Sequence, residues 1–117
     1  MITEDHVSFE TAKLLKEKGF DEYCGYYDRN GQYWDYRVYN HRGDDYISAP
    51  TLQMAMKWLR NIHGLFIHID VIREASCWLA DIQDIKGDVS IFPVENEFSN
   101  YEEACKAAIK YCLKNLI

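Results

Sequence analysis

The chain has 117 residues, of which 48% are hydrophobic and 27% are charged, and its net charge is −6. This length and composition predict one globular domain over residues 1–117, with a core that needs no metal or disulfide to stabilise it. The acidic balance disfavours binding to duplex nucleic acid, which requires cationic side chains to displace phosphate counterions. Neither a long apolar run nor a basic-then-apolar leader is present, which predicts a cytoplasmic protein without a membrane span.

Three segments have the apolar period and the end signals of amphipathic helices, over about residues 9–18, 52–63 and 100–115. Ser8 and Thr51 are suited to cap the first two, since their hydroxyls can accept free backbone amides. The four residues from Ser99 to Glu102 resemble a capping box for the third helix. Gly19 and Gly64 follow the first two helices, where a left-handed residue ends a helix.

Asn30-Gly31 predicts a β-hairpin with a two-residue loop, because both residues tolerate positive φ. Such a loop places two groups of side chains on opposite faces of the hairpin. The expected core face carries Gly25, Tyr27, Trp34 and Tyr36, and the other face carries Cys24, Tyr26, Asp28, Tyr33, Asp35 and Arg37.

Two further strands follow the second helix, over residues 65–73 and 77–85, where apolar and polar residues alternate. A turn at Gly87-Asp88 could add a short strand over residues 89–94. Pro93 lacks an amide hydrogen, so that strand is expected at a sheet edge.

The resulting order is α-β-β-α-β-β-(β)-α. Tight hairpins require an antiparallel sheet, and each amphipathic helix must bury its apolar stripe. We therefore predict an α+β fold of two layers. One layer is an antiparallel sheet of four to five strands, and all three helices cover one of its faces.

The four cysteines, Cys24, Cys77, Cys105 and Cys112, form no C-x-x-C pair and match no zinc-site spacing. They are interpreted as small buried hydrophobes in a reducing compartment, with a reactive or ligating cysteine as the alternative. Residues 41–48 are predicted to form a polar loop. Its part over residues 41–45 contains one histidine and two carboxylates but lacks the spacing of a calcium loop, which favours a solvated turn. The chain also lacks a glycine-rich phosphate loop and a nucleophile elbow. The sequence therefore predicts no metal, no cofactor and no assigned catalytic residue.

The candidate site is a patch on the uncovered sheet face. His68 and Asp70 project from the same side of one strand, about 7 Å apart. Tyr26, Tyr33, Asp35 and Arg37 share one face of the predicted hairpin. If the hairpins join in one sheet, these six residues could bind a small ligand, with His68 able to exchange protons. The alternative is the ordinary polar surface of an antiparallel sheet.

Seven of the nine tyrosines fall between Tyr23 and Tyr46. Because protein interfaces are enriched in aromatic residues, this clustering indicates a partner surface. The alternative is that the core absorbs these rings. Exposure of Tyr26, Tyr33, Tyr39 and Tyr46 would discriminate between the two.

Three stretches carry a family resemblance: SFETAKLLKEKGF at residues 8–20, APTLQMAMKWLRNIHG at 49–64 and YEEACKAAIKYCLK at 101–114. Together they resemble a group of small uncharacterised proteins encoded in prophages and mobile elements of gut bacteria. The resemblance implies an intracellular accessory role in a phage-like setting, and it transfers no site residue.

Three functional hypotheses follow. The first is a non-enzymatic accessory protein that binds another protein or self-associates. The second is a small-ligand-binding protein or enzyme that uses His68, Asp70, Asp35 and Arg37. The third is a nucleic-acid-related factor, which the scarcity of basic residues beside the tyrosines disfavours.

Overall fold

A computed structural model describes residues 2–39, 43–86 and 91–117. In chain order its elements are helix α1 (Phe9–Glu17), strands β1 (Cys24–Tyr27), β2 (Tyr33–Val38) and β3 (Ile47–Ser48), helix α2 (Leu52–His63), strands β4 (Leu65–Ile72), β5 (Cys77–Asp84) and β6 (Ile91–Phe98), and helix α3 (Tyr101–Tyr111), which continues as a π-helix over Cys112–Leu116. The fold is α+β. Its residues group into two compact units, Met1–Met54 and Ala55–Ile117.

The first unit contains an antiparallel sheet in the order β2-β1-β3. Helix α1 contacts β3. The largest buried side chains of the first unit include Val7, Leu15 and Phe20. β3 falls within the stretch expected to be a polar loop. That expectation is wrong for Ile47 and Ser48, which are buried and pair with Tyr27 and Tyr26.

The second unit contains an antiparallel sheet in the order β4-β5-β6, with α3 against all three strands. Its buried side chains include Ile82 on β5 and Ile109 on α3. The predicted edge position of the last strand is confirmed. The strand runs on to Phe98, beyond the predicted end. The proposed turn at residues 87–88 and the start of that strand at 89–90 lie outside the described residues.

The described strands therefore form two three-stranded sheets, and the expected single sheet of four or five strands is not confirmed. α1 contacts the first sheet and α3 the second, so one face of one sheet does not receive all three helices. The single domain over residues 1–117 stays a prediction. Within the described ranges, no helix is both long and apolar enough to cross a membrane.

The helix starts follow the capping chemistry of the sequence. Ser8 accepts a hydrogen bond from the amide of Thr11 at 3.2 Å, and Thr51 accepts one from Met54 at 3.2 Å. At α3 the N-cap is Asn100, whose side chain accepts the amide of Glu103 at 2.8 Å. The capping box predicted from Ser99 is thus wrong by one residue. Either residue type can supply the oxygen that an N-cap requires.

The hairpin between β1 and β2 forms with a loop one residue longer than predicted. The amide of Asp28 donates to the carbonyl of Gln32 at 2.9 Å, and that of Gly31 donates to the carbonyl of Asp28 at 3.0 Å. Gly31 has φ +83°, as expected for a turn whose last residue is left-handed. The Asp28 carboxylate stabilises this turn by accepting the amides of Asn30 at 2.9 Å and Gln32 at 3.0 Å.

The longer loop changes which side chains share a face. Tyr27 pairs with Tyr33 and Tyr26 with Trp34, whereas the prediction paired Tyr27 with Trp34. A shift of one residue exchanges the two faces of a strand. The predicted core positions of Trp34 and Tyr36 are therefore wrong, since these side chains are 45% and 72% exposed.

Candidate functional site

An aromatic basin of about 330 Å³ opens in the first unit. It is lined by Tyr23, Tyr26, Tyr36, Arg37, Val38, Tyr39 and Tyr46. β1, β2 and the segment before β3 supply most of these residues. Five of the seven lining side chains are phenols, and the register of the hairpin is what brings Tyr26 and Tyr36 together.

Ring contacts pair several of the basin's aromatic side chains. Tyr26 meets Tyr46 edge-on at 5.0 Å between centroids, and Tyr23 meets Tyr39 at 5.3 Å. Trp34 extends the surface because its ring lies nearly parallel to Tyr26, at 6.5 Å. These distances lie in the range in which aromatic pairs attract each other. These contacts join the rings into two groups, Tyr26 with Tyr46 and Trp34, and Tyr23 with Tyr39.

Backbone contacts hold the wall that carries Tyr46. The ammonium of Lys16 on α1 donates to the carbonyls of Gly43 at 2.8 Å and Tyr46 at 3.1 Å. Arg29 in the hairpin loop forms an ion pair with Asp45. The segment before β3 is thus attached both to α1 and to the hairpin loop.

The pKa of Tyr26 is raised, mainly by burial and to a smaller extent by the nearby Tyr46, Asp28 and Tyr36. A tyrosine with an ordinary pKa of about 10 is already protonated at neutral pH, and the raised pKa of Tyr26 preserves that state. The basin accordingly presents this hydroxyl as a neutral group that can donate a hydrogen bond.

Asp28 connects the turn to the exposed indole. Its Oδ2 accepts Nε1–H of Trp34 at 3.0 Å while its Oδ1 accepts two loop amides. The pKa of Asp28 is lowered, most strongly by the hydrogen bond from Trp34 and next by the one from the Gln32 amide. Ionised Asp28 thus fixes both the loop and one edge of the aromatic surface.

We expect Asp28→Ala to lower the melting temperature by a few degrees at neutral pH and to increase the mobility of Trp34. A carboxyl with a lowered folded-state pKa contributes stability that is present above its unfolded value, about 3.9, and is lost as the pH falls through the folded value. The difference between wild type and variant should therefore shrink in acid. Thermal unfolding followed by near-ultraviolet circular dichroism tests this, with Asp44→Ala as a surface control. Equal effects of the two substitutions would contradict it.

The opposite face of β2 carries a small polar crevice. Tyr33 Oη lies 3.0 Å from His6 Nε2, and the two rings are 4.7 Å apart. Asp35 and Arg37 line the same space, which measures about 70 Å³. Burial, followed by Asp35, raises the pKa of Tyr33. His6 is held in place by a β-bridge with Thr51.

Gly25 on β1 leaves room for the hydroxyl of Tyr33, which lies where a Cβ of a larger residue would be. A Cβ at this position would lie 2.6 Å from Tyr33 Oη and 3.1 Å from the carbonyl oxygen of Trp34. Since real Cβ atoms essentially never come as close as 2.6 Å, a larger residue would displace the Tyr33 ring. The crevice and the hairpin geometry both depend on this glycine.

His68 and Asp70 lie on β4, in the second sheet. His68 Nδ1 is 3.6 Å from Asp81 Oδ2 on the neighbouring strand, and Asp70 Oδ1 accepts the amide of Val71 at 2.9 Å. The predicted patch required one sheet to carry these residues together with Asp35 and Arg37. The described strands place the two pairs on different sheets.

The predicted site residues thus separate into three places. Tyr33, Asp35 and Arg37 share the crevice, with Arg37 also bordering the basin. Tyr26 belongs to the basin, since the register moves it off the face of Asp35. The predicted patch did not include Tyr23 and Tyr36, which line the basin. Both lie in the tyrosine-rich stretch, and that clustering is the sequence feature that could have identified them.

Comparisons with protein-family models, curated proteins and solved structures gave no match for this chain. Among the residues that the structure describes, no group of three His, Cys, Asp or Glu side chains could hold a metal ion. The features of the molecule that bear on function are thus the basin, the crevice and the exposed aromatic side chains.

Proposed function

We propose that this protein is a non-enzymatic accessory protein that binds a partner protein through the aromatic basin and the adjoining Trp34. The observation that carries the proposal is the exposure of the rings: Tyr36 is 72% exposed, Tyr23 51%, Trp34 45% and Tyr39 39%. Of the four tyrosines whose exposure distinguishes a partner surface from the core, Tyr39 is exposed, whereas Tyr26, Tyr33 and Tyr46 are half-buried. The apolar surface that a partner could bury therefore lies mainly on Tyr36, Tyr23, Trp34 and Tyr39.

Aromatic exposure of this kind favours protein binding for an energetic reason. Burying apolar surface contributes about 25 cal/mol per Å², and aromatic rings dominate the residues that carry binding energy at interfaces. Tyrosine also loses little conformational entropy when it is fixed, since it has only two side-chain torsions. The ring pairs in the basin reduce that loss further because they already restrict each other.

The contacts that hold the basin support a preformed binding surface. Lys16 fixes the backbone at Tyr46, and Asp28 fixes the indole of Trp34. A surface that is ordered before binding avoids the free-energy cost of ordering side chains on association. The accessory role in a phage-like setting and the cytoplasmic location stay predictions.

A library of immobilised short peptides tests protein binding even though the partner is unidentified. We expect a subset of peptides to bind, and Tyr36→Ala or Trp34→Ala to weaken binding at least about tenfold, the effect of losing roughly 1.4 kcal/mol. Val71→Ala is the matched control, because Val71 is an exposed apolar residue on the second sheet. Absence of any bound peptide would contradict the proposal, as would binding that survives both aromatic substitutions.

A further inference from the structure

We infer that the aromatic basin binds a proline-rich segment in the polyproline II conformation. This inference rests on the proposed function and specifies the chemistry of the partner. It follows from two properties of the lining: which hydrogen-bonding groups it presents and how its rings are arranged.

The hydrogen-bonding groups of the lining select a ligand rich in acceptors. The described lining side chains offer phenol hydroxyls, which can donate or accept, and the guanidinium of Arg37, which can only donate. In the described ranges, no carboxylate or carboxamide side chain lines the basin. Asp28 lies nearby, but its carboxylate already accepts the indole of Trp34 and two loop amides. The described part of the lining is therefore rich in donors, and it suits a ligand that offers many carbonyl acceptors.

A proline-rich segment has this balance of groups. Proline has a carbonyl and no amide hydrogen, so each one adds an acceptor without a donor. The polyproline II helix makes no internal hydrogen bonds, which leaves its carbonyls free for phenols and a guanidinium. Its conformation is largely fixed before binding, which lowers the entropic cost of association.

The rings of the basin supply the apolar half of the recognition. Two tyrosine pairs, Tyr26 with Tyr46 and Tyr23 with Tyr39, border the same space as Val38. Aromatic-lined grooves of this type are the surfaces on which flat pyrrolidine rings pack. The openings between tyrosine rings accept proline side chains without any ionic contact.

Other ligand classes fit the lining less well. A sugar presents hydroxyl donors, for which the described lining offers neither carboxylate nor carboxamide acceptors. A cationic ligand would be repelled by Arg37. A nucleic-acid strand needs a basic groove beside its stacking rings, and Arg37 is the sole cation among the described lining residues.

Fluorescence anisotropy with a labelled oligoproline peptide tests the inference directly. We expect saturable binding at least tenfold tighter than that of an equally long peptide in which every second proline is alanine. A maltooligosaccharide should not compete with the labelled peptide. Equal affinity for the two peptides would overturn the inference, and so would competition by the sugar.

Two substitutions at Tyr36 separate the ring from its hydroxyl. We expect Tyr36→Ala to weaken oligoproline binding at least tenfold and Tyr36→Phe to weaken it about threefold, since Phe keeps the ring and loses the donor. Val71→Ala should change affinity less than twofold. Oligoproline binding that is unaffected by Tyr36→Ala would overturn the assignment to this basin. Circular dichroism and melting temperature verify that each variant is folded.

The peptide library distinguishes the failure of this inference from the failure of the proposed function. If peptides without proline bind in a Tyr36-dependent way while oligoproline does not, protein binding stands and the proline-rich ligand is refuted. If no peptide of any composition binds, both are refuted. Enrichment of proline among the bound peptides supports both.

Discussion

Thiol-specific reagents are expected to leave all four cysteines of the native protein unmodified during the time in which the denatured chain reacts completely. Each of the four, Cys24, Cys77, Cys105 and Cys112, is free and buried. Burial is the leading cause that raises the pKa of each thiol, and it raises that of Cys112 to about 12. Since the thiolate is the reactive form, both access and ionisation oppose labelling.

The expected magnitude follows from the thiolate fraction. At pH 8 a thiol with a pKa of about 12 is ionised to roughly one part in 10⁴, against about a quarter for an ordinary cysteine with a pKa near 8.5. The low degree of ionisation alone should therefore slow the labelling of Cys112 by about 10³-fold relative to an ordinary cysteine. Its labelling rate should rise tenfold per pH unit between pH 8 and 10. The labelling rate of the denatured chain should level off above about pH 8.5, where an ordinary thiol is mostly ionised.

The same pKa shifts predict a loss of stability in alkali. Above about pH 8.5 the unfolded chain releases thiol protons that the folded chain retains, so the folded state binds more protons and stability falls as the pH rises. The rate of thiol labelling is measured with a chromogenic disulfide reagent, with and without guanidinium. Comparison with the Cys112→Ala variant identifies the contribution of Cys112 to that rate. Rapid reaction of even one thiol equivalent in the native protein would contradict complete protection.

The helices could be predicted from sequence because their determinants are local. Ser8 and Gly19 bound α1, and α2 occupies the predicted range of Leu52–His63. In each case a hydroxyl, a glycine and an apolar period lie within one or two turns of each other. The end of α3 could not be predicted, since nothing in its composition distinguishes an α-helix from the π-helix that begins at Cys112.

The hairpin illustrates how a small local choice controls the site. Asn30-Gly31 suits a two-residue loop, but Asp28 three residues before Gly31 also suits a type I turn followed by a left-handed glycine. The Asp28 carboxylate supports the second arrangement through its hydrogen bonds to Asn30 and Gln32. The signal was present in the sequence. The competing Asn-Gly pattern obscured it, so the predicted pairing of β1 with β2 has the wrong register, although Tyr33, Asp35 and Arg37 do share one face of β2.

The sheets could not be predicted because strand pairing beyond a hairpin is not local. β3 has only two residues, Ile47 and Ser48, which is too short for an alternating pattern. Its pairing with β1 completes the first sheet. The sequence thus identified the tyrosine-rich stretch as a candidate surface but not which rings would face the basin.

Phe20→Ala is expected to destabilise the protein by about 3–5 kcal/mol, the usual cost of removing a buried phenylalanine ring. Phe20 is 1% exposed and belongs to the largest fully buried side chains. Removing it loses the transfer free energy of the ring and leaves a cavity that its neighbours fill only in part. Because small proteins are stable by only about 5–15 kcal/mol, this one change should remove a large share of the total.

Tyr36→Ala provides the matched contrast, since it removes a similar ring from a side chain that is 72% exposed. Surface substitutions usually change stability by no more than about 0.5 kcal/mol. Urea unfolding should therefore show a midpoint lowered on the order of 2 M for Phe20→Ala and nearly unchanged for Tyr36→Ala, with similar slopes. Equal midpoints would refute the assignment of Phe20 to the core. A large loss for Tyr36→Ala would show that the ring stabilises the fold, and the exposed aromatic surface would then have a structural role instead of a binding one.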